Sequence, residues 1–297
     1  MSTTEKIQRL DGGRLLQWGT RIFAAAGMPE AEAATAADLL VRTSLRGFDV
    51  HGVSRIPSYA GMLLTDEMNP RPDHGGELRD GTLFYRGDRG LGQAVGVAAM
   101  RQAVEIARSV PIVPCVLGGC GHLAALGMYT LIAAEAGMLA IICQSTAPYM
   151  ALPGWRAKAI GNNPLAFATP VADGPPLVFD MAASIVARGN VALAVREGTD
   201  IPLGWAIGPD GEPTTDAKAG MAGSVLPVGG YKGLGLAMMV QCLVGSLQGN
   251  SVQIDDKPGS NARMSAFILV VNPALASTGR YPDDVSEWLG VYLAAGG

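Results

Sequence analysis

The sequence predicts an α/β protein opened by a helical N-terminal segment, and three observations carry that prediction. The first 45 residues hold two helical patterns, the second with readable ends. The middle of the chain alternates helical patterns with short apolar strands, the arrangement that sets a sheet among helices. A long apolar helical run, Lys232 to Gly249, then precedes an apolar strand, Ser265 to Pro273. With 297 residues, 48% hydrophobic and 16% charged, the chain can bury a large core as one complex domain or two to three closely packed subdomains.

The elements follow in order. Gly12 to Gly27 has helical spacing, and so has Pro29 to Leu45, with Glu30 and Glu32 in the first turn and Gly47 just beyond the end. Acid early, proline at the start and glycine after the end is the asymmetry that the helix dipole and caps favour. The stretch GFDVHGVSRIPSY (Gly47 to Tyr59) reads as a turn, and SRIPSYAGMLL as a third helix with Ser54 as N-cap and Pro57 in the first turn. MNPRPDHGGELRDG reads as a loop from its Pro, Gly and Asp content. Gln93 to Ser109 is an Ala-rich helix, VPIVPCVLGG a strand, MYTLIAAEAG a helix and MLAIICQST a strand. Val171 to Asp216 is turn-rich, Lys232 to Gly249 is a long buried helix, and no repeat or clean linker divides the chain.

Composition excludes several classes. The net charge is -4 and no Lys/Arg run is present, so a nucleic-acid footprint is not expected. The polar start MSTTEKIQRLDGG lacks the apolar centre of a secretory signal. The apolar stretches Met128–Gln144 and Leu234–Leu247 are interrupted by polar or Gly residues and are too short to span a bilayer, so core elements and no membrane partner are expected. Cys115, Cys120, Cys143 and Cys242 show no metal spacing and read as reduced core thiols of a cytoplasmic protein, with no metal site.

The chemistry-bearing residues gather in few places. His51, one of three histidines, is followed by Gly52 and lies one turn before Arg55. That is either an incidental inter-helix turn or a proton donor beside a carboxylate grip. GDRGLGQAVG places Gly90, Gly92 and Gly96 one residue off the dinucleotide spacing, with no acidic ribose partner following, and VGGYKGLG lacks the gap and hydroxyl of a P-loop. Three segments combine glycine, amide and a basic or imidazole group: GGCGHLAALG, AIGNNPLAFATP and LPVGGYKGLGL. Freed backbone N–H groups with Lys232, Asn162 and Asn163 suit a pyrophosphate or ribose outside that frame. Each also has a plainer reading: GNNP as a turn, Lys232 as a surface lysine at a helix start, His122 as a satisfied core histidine.

Together RGFDVHGVSRIPSY, GHLAALGMY, IGNNPLAFATP, FDMAASIVARGN, IPLGWAIGPDGEPTTD and LPVGGYKGLGLAMMVQCLVGSLQG resemble, in order and over about residues 30 to 275, the type-2 malate/L-lactate dehydrogenases. That family includes ureidoglycolate and sulfolactate dehydrogenases and the Δ1-piperideine-2-carboxylate/Δ1-pyrroline-2-carboxylate reductases. The resemblance implies a non-Rossmann α/β fold with a mixed sheet and a helical N-terminal segment (1–70), a central substrate and dimerisation domain (71–125 with 222–297), and a cofactor subdomain (126–221). It implies a homodimer acting on a small carboxylate with NADPH or NADH. His51 falls on the proton donor, Asp180 on the acid supporting it, and Arg55 and Tyr59 on substrate-binding positions. His122, Leu123, Ala124, Ala125, Ser145, Asn162, Asn163, Pro164 and Lys232 fall on cofactor-contacting segments. HLAAL looks more like the imino-acid branch, which leans to NADPH, with Arg156 and Lys158 near the cofactor segment.

The residue chemistry agrees: histidine titrates near working pH, and an arginine fork grips a carboxylate in two places. The implied activity is hydride transfer to C2 of a cyclic 2-imino or a 2-keto acid, with a specialised biosynthetic pathway as its expected setting. Three departures stand beside it: Val50 where the family has Ser, Ala183 and Asn190 where it has Thr and Lys, and no match, up to Gly297, to the C-terminal PGE segment that the resemblance leads one to expect. They keep open a second reading, a redox-inactive or repurposed member that binds a small carboxylate or catalyses a non-redox step.

Overall fold

A computed structural model of the chain describes residues 9–158, 160–248 and 264–296. The polar start (residues 1–8), Ala159 and Gly249, which bear on the readings above, lie outside these.

The N-terminal layer forms as its sequence signals. Helix α1 (Gly12–Ala25) is capped by Asp11, whose side chain accepts from Arg14 N at 2.9 Å, and α2 (Glu30–Leu45) starts behind Pro29. The two pack tightly at Gly19, where an added Cβ would meet Ile56 at 3.0 Å and Ala37 at 3.1 Å. Two single 3₁₀ turns, Asp49–His51 and Val53–Arg55, lead into α3 (Ile56–Leu64) with Pro57 in its first turn. Ser54 is not the N-cap: its hydroxyl donates back to the Asp49 carbonyl and ties the two turns together. Phe23, Leu40, Ile56, Tyr59 and Met68 form a core of their own between these helices.

The expected loop after Met68 contains a hairpin, β1 (Gly75–Arg79) with β2 (Thr82–Arg86). Its Asp80–Gly81 turn has φ of 48° and 78°, the left-handed pair that a two-residue hairpin requires. Then come α4 (Gly92–Ala107), β3 (Ile112–Cys120), α5 (Gly127–Glu135) and β4 (Leu139–Gln144), the alternation expected from sequence. The turn-rich stretch holds more order than its composition shows: β5 (Leu165–Thr169) pairs with β6 (Leu177–Met181), and α6 (Arg188–Glu197) follows. Short strands β7 (Ala206–Ile207), β8 (Pro213–Thr214) and β9 (Ser224–Val225) make a small sheet around α7 (Ala217–Ala222).

The long apolar run is not one helix. α8 (Tyr231–Val240) gives way to a π turn, Gln241–Gly245, and a 3₁₀ turn, Ser246–Gln248. Nor is it buried throughout: Met238 and Met239 are 49% and 45% exposed, and Cys242 is exposed rather than a core thiol. Strand β10 (Met264–Val271), α9 (Pro273–Ala276) and α10 (Tyr281–Ala294) complete the described chain; α10 has no counterpart in the sequence reading.

The main sheet is seven-stranded and mixed, in the order β1-β2-β3-β10-β4-β5-β6. The pairings make β2, β3, β4 and β6 parallel to one another, so their carboxyl ends lie at one edge. Strands on both sides of the subdomain boundary expected near residue 125 belong to this one sheet. One face, with Val113, Cys115, Leu117, Ile142 and Ile268, packs on α4 and α5 in the largest core. Period-two alternation turns Phe84, Ile112, Ile141 and Phe179 to the other face, where they are exposed. Among the described residues no helix is long and apolar enough to cross a membrane, and no three His, Cys, Asp or Glu side chains cluster to hold a metal.

Candidate active site

The site forms where the N-terminal layer meets the carboxyl edge of β3, β4 and β6. Gly52 separates the two 3₁₀ turns at φ -100°, ψ -139°, and any Cβ there would collide with Ser44 Oγ, which accepts from Val53 N at 3.0 Å. The sharp corner lets His51 and Arg55 leave one short stretch in the same direction. The His51 ring lies 6.1 Å from that of His122, and the Tyr59 hydroxyl shares a 2.8 Å hydrogen bond with His122 Nδ1. The Arg55 guanidinium stands 5.9 Å from the centre of the Tyr59 ring. The structure thus brings His51, Arg55, Tyr59 and His122 into one polar centre.

Burial and the nearby guanidinium set the charge state. Burial lowers the His51 pKa from its ordinary 6.5, and Arg55 lowers it further. His122 is pushed down to about 3 by burial, then by Arg55 and His51, so it stays neutral. Burial raises the Tyr59 hydroxyl, against the pull of Arg55 and of Gln93, both of which reach towards it. Arg55 forms no ion pair among the described residues, and its Nε is buried without a hydrogen-bond partner. A half-buried guanidinium with an unsatisfied inner N–H and no acid beside it favours the arrival of an anion.

Two glutamines that the sequence reading left out organise this centre. Gln144, fully buried at the end of β4, accepts from Leu123 N at 3.0 Å and donates to the Gly121 carbonyl at 3.2 Å. Its own backbone N–H reaches Pro164 O at 3.1 Å, so one residue holds the His122 loop and the Asn162–Pro164 segment together. Gln93, in the first turn of α4, donates from Nε2 to the His122 carbonyl at 3.0 Å. Buried amides inside apolar runs were the only signal for either in sequence.

Asp180 stands elsewhere than the resemblance implied. Its Oδ2 accepts from Gly127 N at 2.7 Å, and Leu126 N also supports it, so the carboxylate caps α5 instead of pairing with His51. Burial raises its pKa to about 6 against the opposing pull of those two N–H groups. Val50 packs on α6: a Cβ on Gly189 would meet Val50 Cγ1 at 2.9 Å. It makes an apolar contact where a serine would offer a hydroxyl.

The nucleotide-suited segments also converge. Asn162 O accepts from Ala183 N at 2.7 Å and Ala183 O accepts from Val228 N at 2.9 Å, which draws the Asn162 turn beside the start of α8. There Gly229 and Gly230 take φ of 58° and 62°, and exposed Lys232 follows. Ser145 is half-buried beside them, and Ala124 takes a φ of 63° in the His122 loop, with buried Ala125 next to it. Two expected contacts are committed inside the protein. Asn163 is fully buried, accepting from Thr146 N at 3.0 Å and donating to Ala237 O at 2.9 Å, and Leu123 has its carbonyl taken by Tyr129 Oη at 2.7 Å. An exposed lysine at a glycine-led helix start, an amide and an imidazole loop are a donor set that fits a dinucleotide.

An imidazole, a guanidinium with no acid partner among the described residues and a glycine-led helix start carrying a lysine thus lie beside one sheet edge, in a fold outside the Rossmann class. The profile of the malate/L-lactate dehydrogenase family matches residues 11–295. The malate dehydrogenase of Pyrococcus abyssi is 34% identical over 280 residues, covering 90% of this chain and 77% of that protein. The Δ1-pyrroline-2-carboxylate/Δ1-piperideine-2-carboxylate reductase of Pseudomonas aeruginosa is 34% identical over 85% of this chain and 78% of its own. In structure, the Δ1-piperideine-2-carboxylate reductase of Pseudomonas syringae superposes with a TM-score of 0.90 at 28% identity, covering 98% of this chain and 90% of that one. The chain belongs to the malate/L-lactate dehydrogenase family. It is an NAD(P)-dependent oxidoreductase, with NADPH or NADH as cofactor.

Proposed function

We propose that the protein reduces a cyclic 2-imino acid or a 2-keto acid at C2, with His51 as proton donor and Arg55 as carboxylate clamp. The observation that carries this reading is the pairing of His51 with an Arg55 that has no acid of its own, in one buried centre. The reduced nicotinamide supplies the hydride; Lys232, Asn162, Ser145 and the His122–Ala125 loop would hold it. Arg55 binds the carboxylate and orients C2, and that arriving anion opposes the effect of Arg55 on His51, favouring the imidazolium. For a keto acid His51 passes its proton to the developing oxyanion. For an imine it keeps the substrate nitrogen protonated, a demand that the apolar Val50 contact leaves intact.

His122, held neutral and bonded to Tyr59, fixes the Tyr59 hydroxyl and shapes the pocket. We also infer a homodimer, supported by the exposed apolar row on the open face of the sheet, and a cytoplasmic setting, supported by the buried unpaired thiols Cys115, Cys120 and Cys143. The test is a fluorescence titration with NADPH and NADH, then turnover of Δ1-pyrroline-2-carboxylate, Δ1-piperideine-2-carboxylate and pyruvate. Nucleotide binding with turnover of any of these acids is expected; binding without turnover of any would remove the proposal.

A further inference from the structure

We infer that Gln93 is a specificity-determining residue, whose side-chain oxygen accepts a hydrogen bond from an N–H on the atom joined to C2 of the substrate. This rests on the proposed binding of the carboxylate at Arg55. Gln93 is completely buried, and its Oε1 has no hydrogen-bond partner among the described residues. More than nine in ten buried polar groups in folded proteins are satisfied, so an orphan in the functional centre marks a ligand position.

The orientation of this amide is fixed. Its Nε2 donates to the His122 carbonyl at 3.0 Å, and turning the amide over would set oxygen against oxygen there. The acceptor is therefore what remains. The other orphan of the same centre is a donor, the buried Nε of Arg55. Gln93 holds the His122 carbonyl, Tyr59 its ring, and Arg55 stands 5.9 Å from the centre of the Tyr59 ring, so both unmet groups belong to one centre.

One donor on a cation and one neutral acceptor, side by side, describe the complement of a particular ligand: a carboxylate whose neighbouring carbon carries a nitrogen bearing hydrogen. A protonated cyclic 2-imino acid has that pattern, and so has the cyclic 2-amino acid that its reduction yields. A 2-keto acid presents only lone pairs at the same place and leaves Gln93 Oε1 unmet. Sites built around a hydrogen bond reject analogues that lack it far more strongly than apolar pockets reject a missing methylene. Gln93 thereby favours nitrogen over oxygen at C2 without taking part in bond making.

The test uses two planar five-membered-ring acids that differ only in the ring atom beside the carboxyl-bearing carbon. Pyrrole-2-carboxylate carries N–H there and 2-furoate carries oxygen. Calorimetry on the intact protein should give a Kd for pyrrole-2-carboxylate at least about tenfold lower than for 2-furoate. In Gln93→Met, which keeps length and loses the acceptor, the ratio should fall to about one, mainly by weakening of the pyrrole acid. A wild-type ratio near one overturns the inference, whether or not the variant folds. So does an unchanged ratio in a Gln93→Met protein of wild-type melting temperature. Failure of both acids to bind the wild type, or equal binding of both by Arg55→Ala and wild type, would instead strike the clamp role of Arg55. As a turnover check, Gln93→Met should lose kcat/KM for Δ1-pyrroline-2-carboxylate more than for pyruvate.

Discussion

At the scale of single residues, His51 and Asp180 give opposite lessons about charge. His51 lies below its ordinary pKa through burial and Arg55, so the free protein holds it mostly neutral near pH 7. Reduction of a keto acid needs the protonated ring. We therefore expect kcat/KM with pyruvate to fall as pH rises through an apparent pKa below 6.5, and oxidation of the corresponding hydroxy acid to gain over the same interval. A rate–pH profile in both directions checks this. His51→Ala should lower kcat by 10²-fold or more (about the contribution of one general acid), whereas Arg55→Ala should chiefly raise KM. Asp180 is displaced upward, to about 6, by burial. Its folded form holds a proton more firmly than the unfolded chain does, so it adds stability below the unfolded pKa and loses it as pH rises through about 6. Asp180→Asn keeps an acceptor for Gly127 N and removes the titration. Thermal melts from pH 3 to 8 should show the wild type losing ground to this variant between about pH 4 and 6 and holding a constant difference above that.

At the scale of elements, the corner that aims His51 and Arg55 depends on Gly52. A methyl group there meets Ser44 Oγ and lies 3.1 Å from the Leu40 carbonyl, within the backbone of α2. Gly52→Ala should destabilise by about 1–3 kcal/mol through overpacking and reduce turnover disproportionately, read by denaturant unfolding beside kinetics. The same corner shows what sequence can and cannot carry. Helix α1 was legible from its apolar spacing, and α2 from its spacing together with the leading proline, early acids and following glycine. The β1–β2 hairpin was not: its Asp80–Gly81 turn is a strong signal, but Gly75, Gly76 and the exposed strand face look like loop. Helix α8 was overextended because an apolar run does not reveal a shift from i+4 to i+5 bonding at Gln241–Gly245. His51, Arg55 and Tyr59 could be named from their motif, and the structure sets them together. Gln93 and Gln144 could not, since a buried amide matters only through partners that are remote in sequence. The Asp180–His51 pairing failed for a like reason: the nearest unmet donors to that carboxylate are the N–H groups opening α5.

At the scale of the whole molecule, the site joins two separately packed cores. His51 and Arg55 belong to the N-terminal helices, centred on Phe23, Leu40 and Ile56; the His122 loop and the Asn162 turn belong to the seven-stranded sheet. The open face of that sheet carries a cross-strand row, Pro114, Leu269, Ile141, Phe167 and Phe179, held in register by its ladder. If a second copy covers it, Ile141→Arg should convert a dimer to a monomer in light scattering with little change in fold, because the side chain is 38% exposed and points away from the main core. Val50 of the N-terminal layer rests on Gly189 at the start of α6, a residue with nothing beyond its Cα. An absent side chain thus sets how closely the N-terminal layer approaches α6. Thickening position 189 by even one methyl would wedge the layers open, and chemistry would slow well before the fold itself gave way.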